Sequence, residues 1–452
     1  MNLSGKNILV YGLGLSGFAA SKLLAAQGAR VTAVDVKPEA ALKSDLGILR
    51  SLGVEVHTGQ NSIKRLNGIE LLIVSPGIPL EHPLISIAQK GGIQVVGELE
   101  LASQFCQAPV IGVTGTNGKS TTCALIGAIL DSAGIANKVA GNIGLPLSSV
   151  VPLSAGVAVV EVSSYQLETI ETFKPHIAVW MNLSADHLSR HSTIEAYAAA
   201  KSRIFKLQTS DDVKVYNAED PQVMKFAAEG QGRPLPFGFN IKSGVFLRNE
   251  RIFYDWEGQS GEILPADEIS IKGRHNLQNS LAASAAALAY GVDVPAIREA
   301  LMKFPGLEHR QEFVTRKNGV AFINDSKSTN VDSGLKALET IEPPIILIAG
   351  GRGKGESFLP AEKLIRRNVK LLITLGETAE QLSRELSDAV ETMYAKDLQE
   401  AVETAWGNSL PGDNILLSPM CASFDMFEDF EQRGRIFKSI CREITDGVEE
   451  DK

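Results

Sequence analysis

Short apolar runs recur along the chain, and each stops at a glycine or a polar residue. Asn7–Tyr11, Arg30–Val34 and Leu71–Val74 do so near the start, and Pro109–Ile111, Val157–Val160 and Ile177–Met181 in the middle. Val320–Ile323, Ile345–Ala349, Leu371–Gly376 and Ile415–Pro419 repeat the pattern further on. Near-continuous apolar runs of this length predict strands buried on both faces, as in parallel sheets. Helical apolar spacing fills an Ala/Leu-rich stretch ending at Gly28, then Thr122–Leu130, Thr193–Phe205 and an Ala-rich stretch from Gly273 to Tyr290. Strands alternating with helices predict an α/β protein. Phe304–Leu307 reads as a linker, and the expected division is 1–97, 98–305 and 306–452. Three domains suit 452 residues.

Composition narrows the class. The chain is 44% hydrophobic and 21% charged, as globular proteins are, with no apolar run long enough for a bilayer and no signal peptide ahead of the first strand. Cys106, Cys123, Cys421 and Cys441 form no disulfide or zinc spacing, so a cytoplasmic protein without membrane association is expected. A net charge of −9 argues against nucleic-acid binding. Anionic substrates would then have to be held by local Lys, Arg, backbone N–H groups and metal.

The chemistry concentrates at the strand ends. Gly115-Thr116-Asn117-Gly118-Lys119-Ser120-Thr121 lies between an apolar run and a helix. Glycines there let backbone N–H groups converge on an anion, the helix N-terminus adds partial positive charge, Lys119 can reach outer phosphates, and the Ser120 hydroxyl can sit on magnesium. The strict spacing would place Gly at Val113, so the loop is a variant; it predicts ATP binding. Gly12-Leu13-Gly14-Leu15-Ser16-Gly17, followed by Asp35 at the end of the second strand, reads as a dinucleotide fingerprint. Glu161 ends a buried strand, where a magnesium ligand belongs. His187 follows a third strand and is either a metal ligand or a satisfied loop histidine. Lys201, on the Thr193–Phe205 helix, reads locally as a solvated charge. Asn276 and Asn279 share one helix face and suggest a polar ligand. Gly350–Gly355, with Arg352 inside it, reads as a second anion loop.

Taken together, Gly115–Ser120, Glu161 with Ser163-Ser164, Asp186-His187, Gly273-Arg274-His275-Asn276 and Asn324-Asp325-Ser326-Lys327 resemble the Mur ligase family across the whole chain. The Gly12–Gly17 loop, Leu417–Asp425 and Phe430–Gly434 sharpen the likeness toward members that use D-glutamate. The resemblance implies an N-terminal Rossmann-like UDP-binding domain, a central P-loop ATPase-like domain and a C-terminal Rossmann-like domain. It further implies a monomer in which Leu15, Ser16, Asp35 and Gly77 meet the uridine and pyrophosphate of a UDP-sugar, with Asn142 nearer its phosphates and peptide. Lys119 would hold the γ-phosphate, and Asn276, Asn279, Arg310 and Asp325 would contact ATP. Ser120 and Glu161 match one magnesium site, His187 helps define a second, and Lys201 matches a lysine that is carbamylated and becomes a metal ligand. Lys327, Thr329, Lys354, Ser423 and Phe430 match positions around incoming D-glutamate. Departures are Ser16 and Val36, where relatives often have Thr, and Arg352, where they commonly have Asp.

The implied reaction is ATP-driven amide formation between UDP-N-acetylmuramoyl-L-alanine and D-glutamate, through an acyl phosphate, for peptidoglycan. Three alternatives stand beside it. A nucleotide-dependent oxidoreductase would use Gly12–Gly17 and Asp35, and a nucleotide switch would use the Lys119 loop alone. Another amide ligase, of the folylpolyglutamate synthase kind, would share the ATP core but not the tail.

Overall fold

The computed structural model describes residues 2–42, 44–59, 66–184, 188–353 and 355–446. The chain divides into two compact units, Met1–Phe304 and Pro305–Lys452. Each is an α/β assembly.

The first unit contains two sheets. The N-terminal sheet has five parallel strands in the spatial order Glu55–Thr58, Arg30–Asp35, Asn7–Tyr11, Leu71–Val74 and Gln94–Gly97. Strand order reverses at Asn7–Tyr11, so the loops after this strand and after Leu71–Val74 diverge around a crevice, the usual ligand position in open sheets. The central sheet places Val110–Thr114 between Ile177–Trp180 and Val157–Glu161, all parallel and buried. Asn137–Gly141 closes one edge, and Val213–Asn217 and Arg233–Gly238 continue the other. One apolar cluster runs from Ile8, Val10 and Leu24 under the N-terminal sheet to Leu147, Val160 and Trp180 in the central one, which joins the two sheets into a single unit.

Three differences from the pattern-based reading have local causes. The helix expected from Thr122 begins at Lys119 and runs to Ser132. Gly118 adopts φ +83 as its N-cap, a left-handed turn that puts Lys119 and Ser120 in the first helical turn. Three added strands were not anticipated: Gly244–Arg248 joins Arg233–Gly238 in parallel, and Arg251–Trp256 and Gln259–Pro265 follow antiparallel, extending the central sheet. Their turns are Asn249-Glu250 and Glu257-Gly258, all with positive φ, the geometry of tight hairpins. In the second unit Asn318-Gly319 makes the same kind of turn between Glu312–Lys317 and Val320–Asn324. The signal, Asn-Gly between two strands, was in the sequence.

The second unit is a six-stranded sheet ordered Glu312–Lys317, Val320–Asn324, Asn414–Leu417, Ile345–Gly350, Val369–Leu375 and Thr392–Tyr394. Only the first pair is antiparallel. The tail helix Phe430–Asp446 packs its Phe437, Ile440 and Cys441 into the core on one face. Among the described residues no helix is long and apolar enough to cross a membrane.

Candidate active site

The N-terminal loops meet at one sheet edge. Gly17 lies so close to the first strand's exit that a Cβ there would sit 1.7 Å from the Gly12 carbonyl oxygen, so only glycine fits. Ser75 Oγ donates to that same carbonyl at 2.7 Å and ties the Ser75–Gly77 loop to the glycine loop. Asp35 is buried, accepting from the Leu13 N–H at 2.7 Å and the Lys37 N–H at 2.8 Å. Its carboxylate therefore shapes the loop. Leu15 is exposed at the start of the Leu15–Ala26 helix, and Gly14, its N-cap, offers no side-chain acceptor to the first-turn N–H groups. Such a helix start suits a pyrophosphate.

In the central sheet, the Gly115–Ser120 loop is held by a residue that sequence reasoning passed over. Asn182 Oδ1 accepts from the Thr116 and Asn117 N–H groups at 3.1 and 2.9 Å, and its Nδ2 donates to the Asn117 carbonyl at 3.1 Å. Lys119 Nζ folds back to donate to the Gly115 and Thr116 carbonyls at 2.9 and 2.8 Å. Lys201 arrives from the Ile194–Lys206 helix and donates to the same Gly115 carbonyl at 2.9 Å. The solvated charge expected from local sequence is thus corrected: Lys201 is 1% exposed, with its ammonium 4.7 Å from the Tyr197 ring centre. Two ammonium groups on one carbonyl repel, a conflict that an anion placed between them would relieve.

Glu161 lies directly across the strand pair from Val113 and is 2% exposed. Its Oε1 accepts from Asn142 Nδ2 at 2.9 Å, while Oε2 is buried with no hydrogen-bond partner among the described residues. An orphaned buried carboxylate oxygen is costly unless something completes it. A buried carboxylate oxygen and a hydroxyl, Ser120, at the start of the following helix are the hard oxygen donors a magnesium ion takes, so the residues present suit magnesium. Gly141, at φ +115, packs where a Cβ would lie 2.2 Å from the Glu161 carbonyl oxygen, which sets Asn142 beside the carboxylate. Asn279 is buried and donates to Asn276 Oδ1 at 3.2 Å. A Cβ on Gly118 would be 2.3 Å from Asn279 Oδ1, so this amide pair sits directly on the phosphate loop. Sequence spacing had put the two Asn on one face; the structure adds what that face touches. His187 lies outside the described residues.

In the second unit, the strand ends gather a separate set. Asp325 is fully buried, accepting from Ser418 Oγ at 2.8 Å and the Gln311 N–H at 3.2 Å. Burial pushes its carboxyl up to about 7, against the pull of the Ser418 hydroxyl and the Arg310 charge. Arg310 sits between His309 and Gln311, both at positive φ, in a tight turn. His309 is buried, its Nδ1 meeting Asn324 Nδ2 at 2.9 Å, and burial pulls its pKa down. Lys327 Nζ lies 5.8 Å from the Phe430 ring centre, so these two expected site residues are neighbours. Thr329 is half-buried two residues on, and Ser423 is buried at the loop after Asn414–Leu417. Arg352 pairs with Glu377 at 2.9 Å on the surface. Lys354 lies outside the described residues.

Three family models match successive parts of the chain. Family models described as "Mur ligase MurD-like, N-terminal domain", "Mur ligase middle domain" and "Mur ligase, glutamate ligase domain" match residues 6–97, 113–287 and 309–421. A Koribacter versatilis protein named UDP-N-acetylmuramoylalanine–D-glutamate ligase is 41% identical over 450 residues, covering 99% of both chains. Its Acidobacterium capsulatum namesake is 43% identical over 446 residues, covering 97% of each. Among solved structures, the Thermotoga maritima UDP-N-acetylmuramate-alanine ligase superposes with a TM-score of 0.60 at 18% identity, over 97% of this chain and 99% of that one. With models matching all three segments in order and relatives above 40% identity end to end, the chain belongs to the Mur ligase family.

Proposed function

We propose that this chain is an ATP-dependent ligase that joins D-glutamate to UDP-N-acetylmuramoyl-L-alanine in peptidoglycan precursor synthesis. Residues 1–97 would bind the UDP-sugar, 98–305 ATP, and 306–452 the amino acid, and substrates of this kind place the work in the cytoplasm. The supporting observation is the phosphate loop with two lysine ammoniums on the Gly115 carbonyl beside the unpartnered Glu161 oxygen. That geometry suits a γ-phosphate with magnesium, and the relatives, named for UDP-N-acetylmuramoylalanine and D-glutamate, point to the two substrates to be joined.

A carboxylate is a poor acyl donor because an oxide would have to leave. Phosphorylation of the alanyl carboxylate by ATP solves this, and the protein's share is positioning and charge neutralisation. Lys119 exchanges its loop carbonyls for γ-phosphate oxygens, and the Gly118–Ser120 amides, at the helix start of a loop that Asn182 braces through the Thr116 and Asn117 N–H groups, hold the chain of phosphates. Ser120, Glu161 and a carbamylated Lys201 would hold magnesium at two sites with His187, and magnesium bound there would supply charge neutralisation for the phosphoryl group in transfer. Asn276 and Asn279 position the nucleotide over Gly118, and Arg310 and Asp325 take further ATP contacts. Asn142 orients the donor's peptide end. Lys327, Thr329, Lys354, Ser423 and Phe430 seat D-glutamate, whose amine attacks the acyl phosphate, giving a tetrahedral intermediate that expels phosphate. His187 is the proposed acceptor of the amine's proton.

The test is phosphate release with a panel of donors (UDP-N-acetylmuramoyl-L-alanine, UDP-N-acetylmuramate, dihydropteroate) against D-glutamate, L-glutamate and L-alanine. Turnover is expected with the first donor and D-glutamate only. Preferential turnover with a pterin donor, or reduction of NAD without ATP, would overturn the reading.

A further inference from the structure

Arg433 is a buried cation that the reaction above leaves without a task. It stands in the first turn of the Phe430–Asp446 helix and is 2% exposed. Its Nε donates to Ser326 Oγ at 3.0 Å and Nη2 to the Ser326 carbonyl at 2.8 Å, while Nη1 and Nη2 both reach the Cys421 carbonyl at 3.2 Å. Ser326 Oγ passes its own proton to the Phe430 carbonyl at 2.8 Å. The fork thus stitches together the turn before Lys327, the turn before Ser423 and the residue Phe430. A Cβ on Gly351 would come within 3.3 Å of Nη1, so glycine at that strand end leaves the fork its room.

Every acceptor on this guanidinium is neutral. Among the described residues no carboxylate lies within 4 Å of it. Asp325 and Asp425 act on it only from a distance, and burial leaves the guanidinium pushed down to about 10. Asp325 is a weak counter-charge near neutrality because burial holds its own carboxyl at about 7. Asp425 accepts from the Glu377 N–H through Oδ2 at 3.1 Å, and its buried Oδ1 makes no hydrogen bond with the fork or any other described group. A buried charge paired only with dipoles is expensive, and an apolar side chain of similar volume would usually serve packing better. Its field, undamped by water, reaches the loops that surround it.

We propose that Arg433 is a positioning residue for the amino-acid substrate: its fork sets the Ser326–Lys327 and Cys421–Ser423 turns against Phe430, and its uncompensated charge biases that pocket toward a dicarboxylate. The inference rests on the amino-acid site proposed above. It differs from a contact role, since Arg433 acts through the turns it holds. Arg433→Lys keeps the charge and loses the fork; Arg433→Met loses both.

The experiment measures kcat and KM for all three substrates in the full chain, with melting curves, and the inhibition constant of D-2-aminobutyrate, which lacks the second carboxylate. Arg433→Met is expected to raise KM for D-glutamate at least tenfold, with KM for ATP and the UDP-sugar within twofold and the D-2-aminobutyrate constant within threefold. Arg433→Lys, which keeps the charge and loses the fork, is expected to fall between wild type and Arg433→Met, with KM for D-glutamate raised about three- to tenfold. Equal weakening of D-glutamate and the monocarboxylate, or a joint change in all three KM values, would reduce Arg433 to a structural brace. If Arg433→Met does not fold, Arg433→Lys decides alone: a KM for D-glutamate raised more than tenfold refutes the charge argument. Wild-type protein that does not use D-glutamate would instead refute the proposed function.

Discussion

Gly118→Ala perturbs the phosphate loop through two separable costs. Gly118 sits at φ +83, where an L-side chain loses about 1 kcal/mol. The new Cβ would also lie 2.3 Å from Asn279 Oδ1, an amide that is buried and bonded to Asn276. Asn279 must move, which adds about 1–3 kcal/mol for overpacking and about 1 kcal/mol for the displaced hydrogen bond. The sum is roughly 3–5 kcal/mol. Gly134 provides the control, since its φ is +69 but a Cβ there meets nothing within 4 Å. Gly134→Ala should therefore show the backbone cost alone, about 1 kcal/mol. Thermal unfolding of both variants reads the difference, and nucleotide titration reads whether the displaced Asn pair weakens ATP tenfold or more. In the double variant Gly118→Ala with Asn279→Ala, the steric conflict disappears, so the two changes together should destabilise by about 1–3 kcal/mol less than their sum. Equal melting temperatures for Gly118→Ala and Gly134→Ala, or strict additivity in the double variant, would refute the packing of Asn279 on the loop.

Lys119→Ala should cut phosphate release at least a hundredfold with an unchanged melting temperature, because a positioned charge in phosphoryl transfer is worth several kcal/mol; near-normal turnover would remove it from the site. Lys201→Ala should be nearly inactive and partly restored by acetate or formate, while Lys201→Arg stays inactive because it keeps a positive charge where the metals need a negative one; wild-type rates in Lys201→Arg would reject carbamylation. A UDP-sugar should raise the melting temperature and NAD should not, and the reverse pattern would restore the dinucleotide reading of Gly12–Gly17. Asp325 carries a carboxyl raised from 3.8 to about 7, so its contribution favours the fold fully below pH 4 and is lost as pH rises through about 7. Asp325→Asn never ionises, so its melting temperature relative to wild type should rise by several degrees between pH 5 and pH 8; a pH-independent difference would contradict the buried, raised carboxyl.

Much of this protein was readable one stretch at a time. The strand, glycine loop, Lys119-Ser120 and helix follow each other without interruption, so the phosphate cradle is a local consequence of backbone conformation. The apolar runs likewise announced strands at Asn7–Tyr11, Leu71–Val74 and Ile345–Gly350, because burial on both faces demands unbroken hydrophobicity. The hairpin turn at Asn318-Gly319 was equally local, since Asn and Gly both tolerate positive φ, whereas Asn249-Glu250 and Glu257-Gly258 each put a glutamate there, which the sequence does not announce.

Other features belong to no stretch. Lys201 reads as a surface charge on its helix, yet it meets Thr114 and Gly115, 87 and 86 residues away, at a depth set by how that helix packs on the sheet. Asn182 caps a loop 65 residues earlier, and Arg433 grips Ser326 across 107 residues. Sequence spacing specifies which face of an element a side chain occupies, through periods of 3.6 and 2. It does not specify what lies opposite that face. In a parallel sheet the neighbours are brought together by crossovers of many residues, so burial and charge pairing at the strand ends are decided only when the sheet closes.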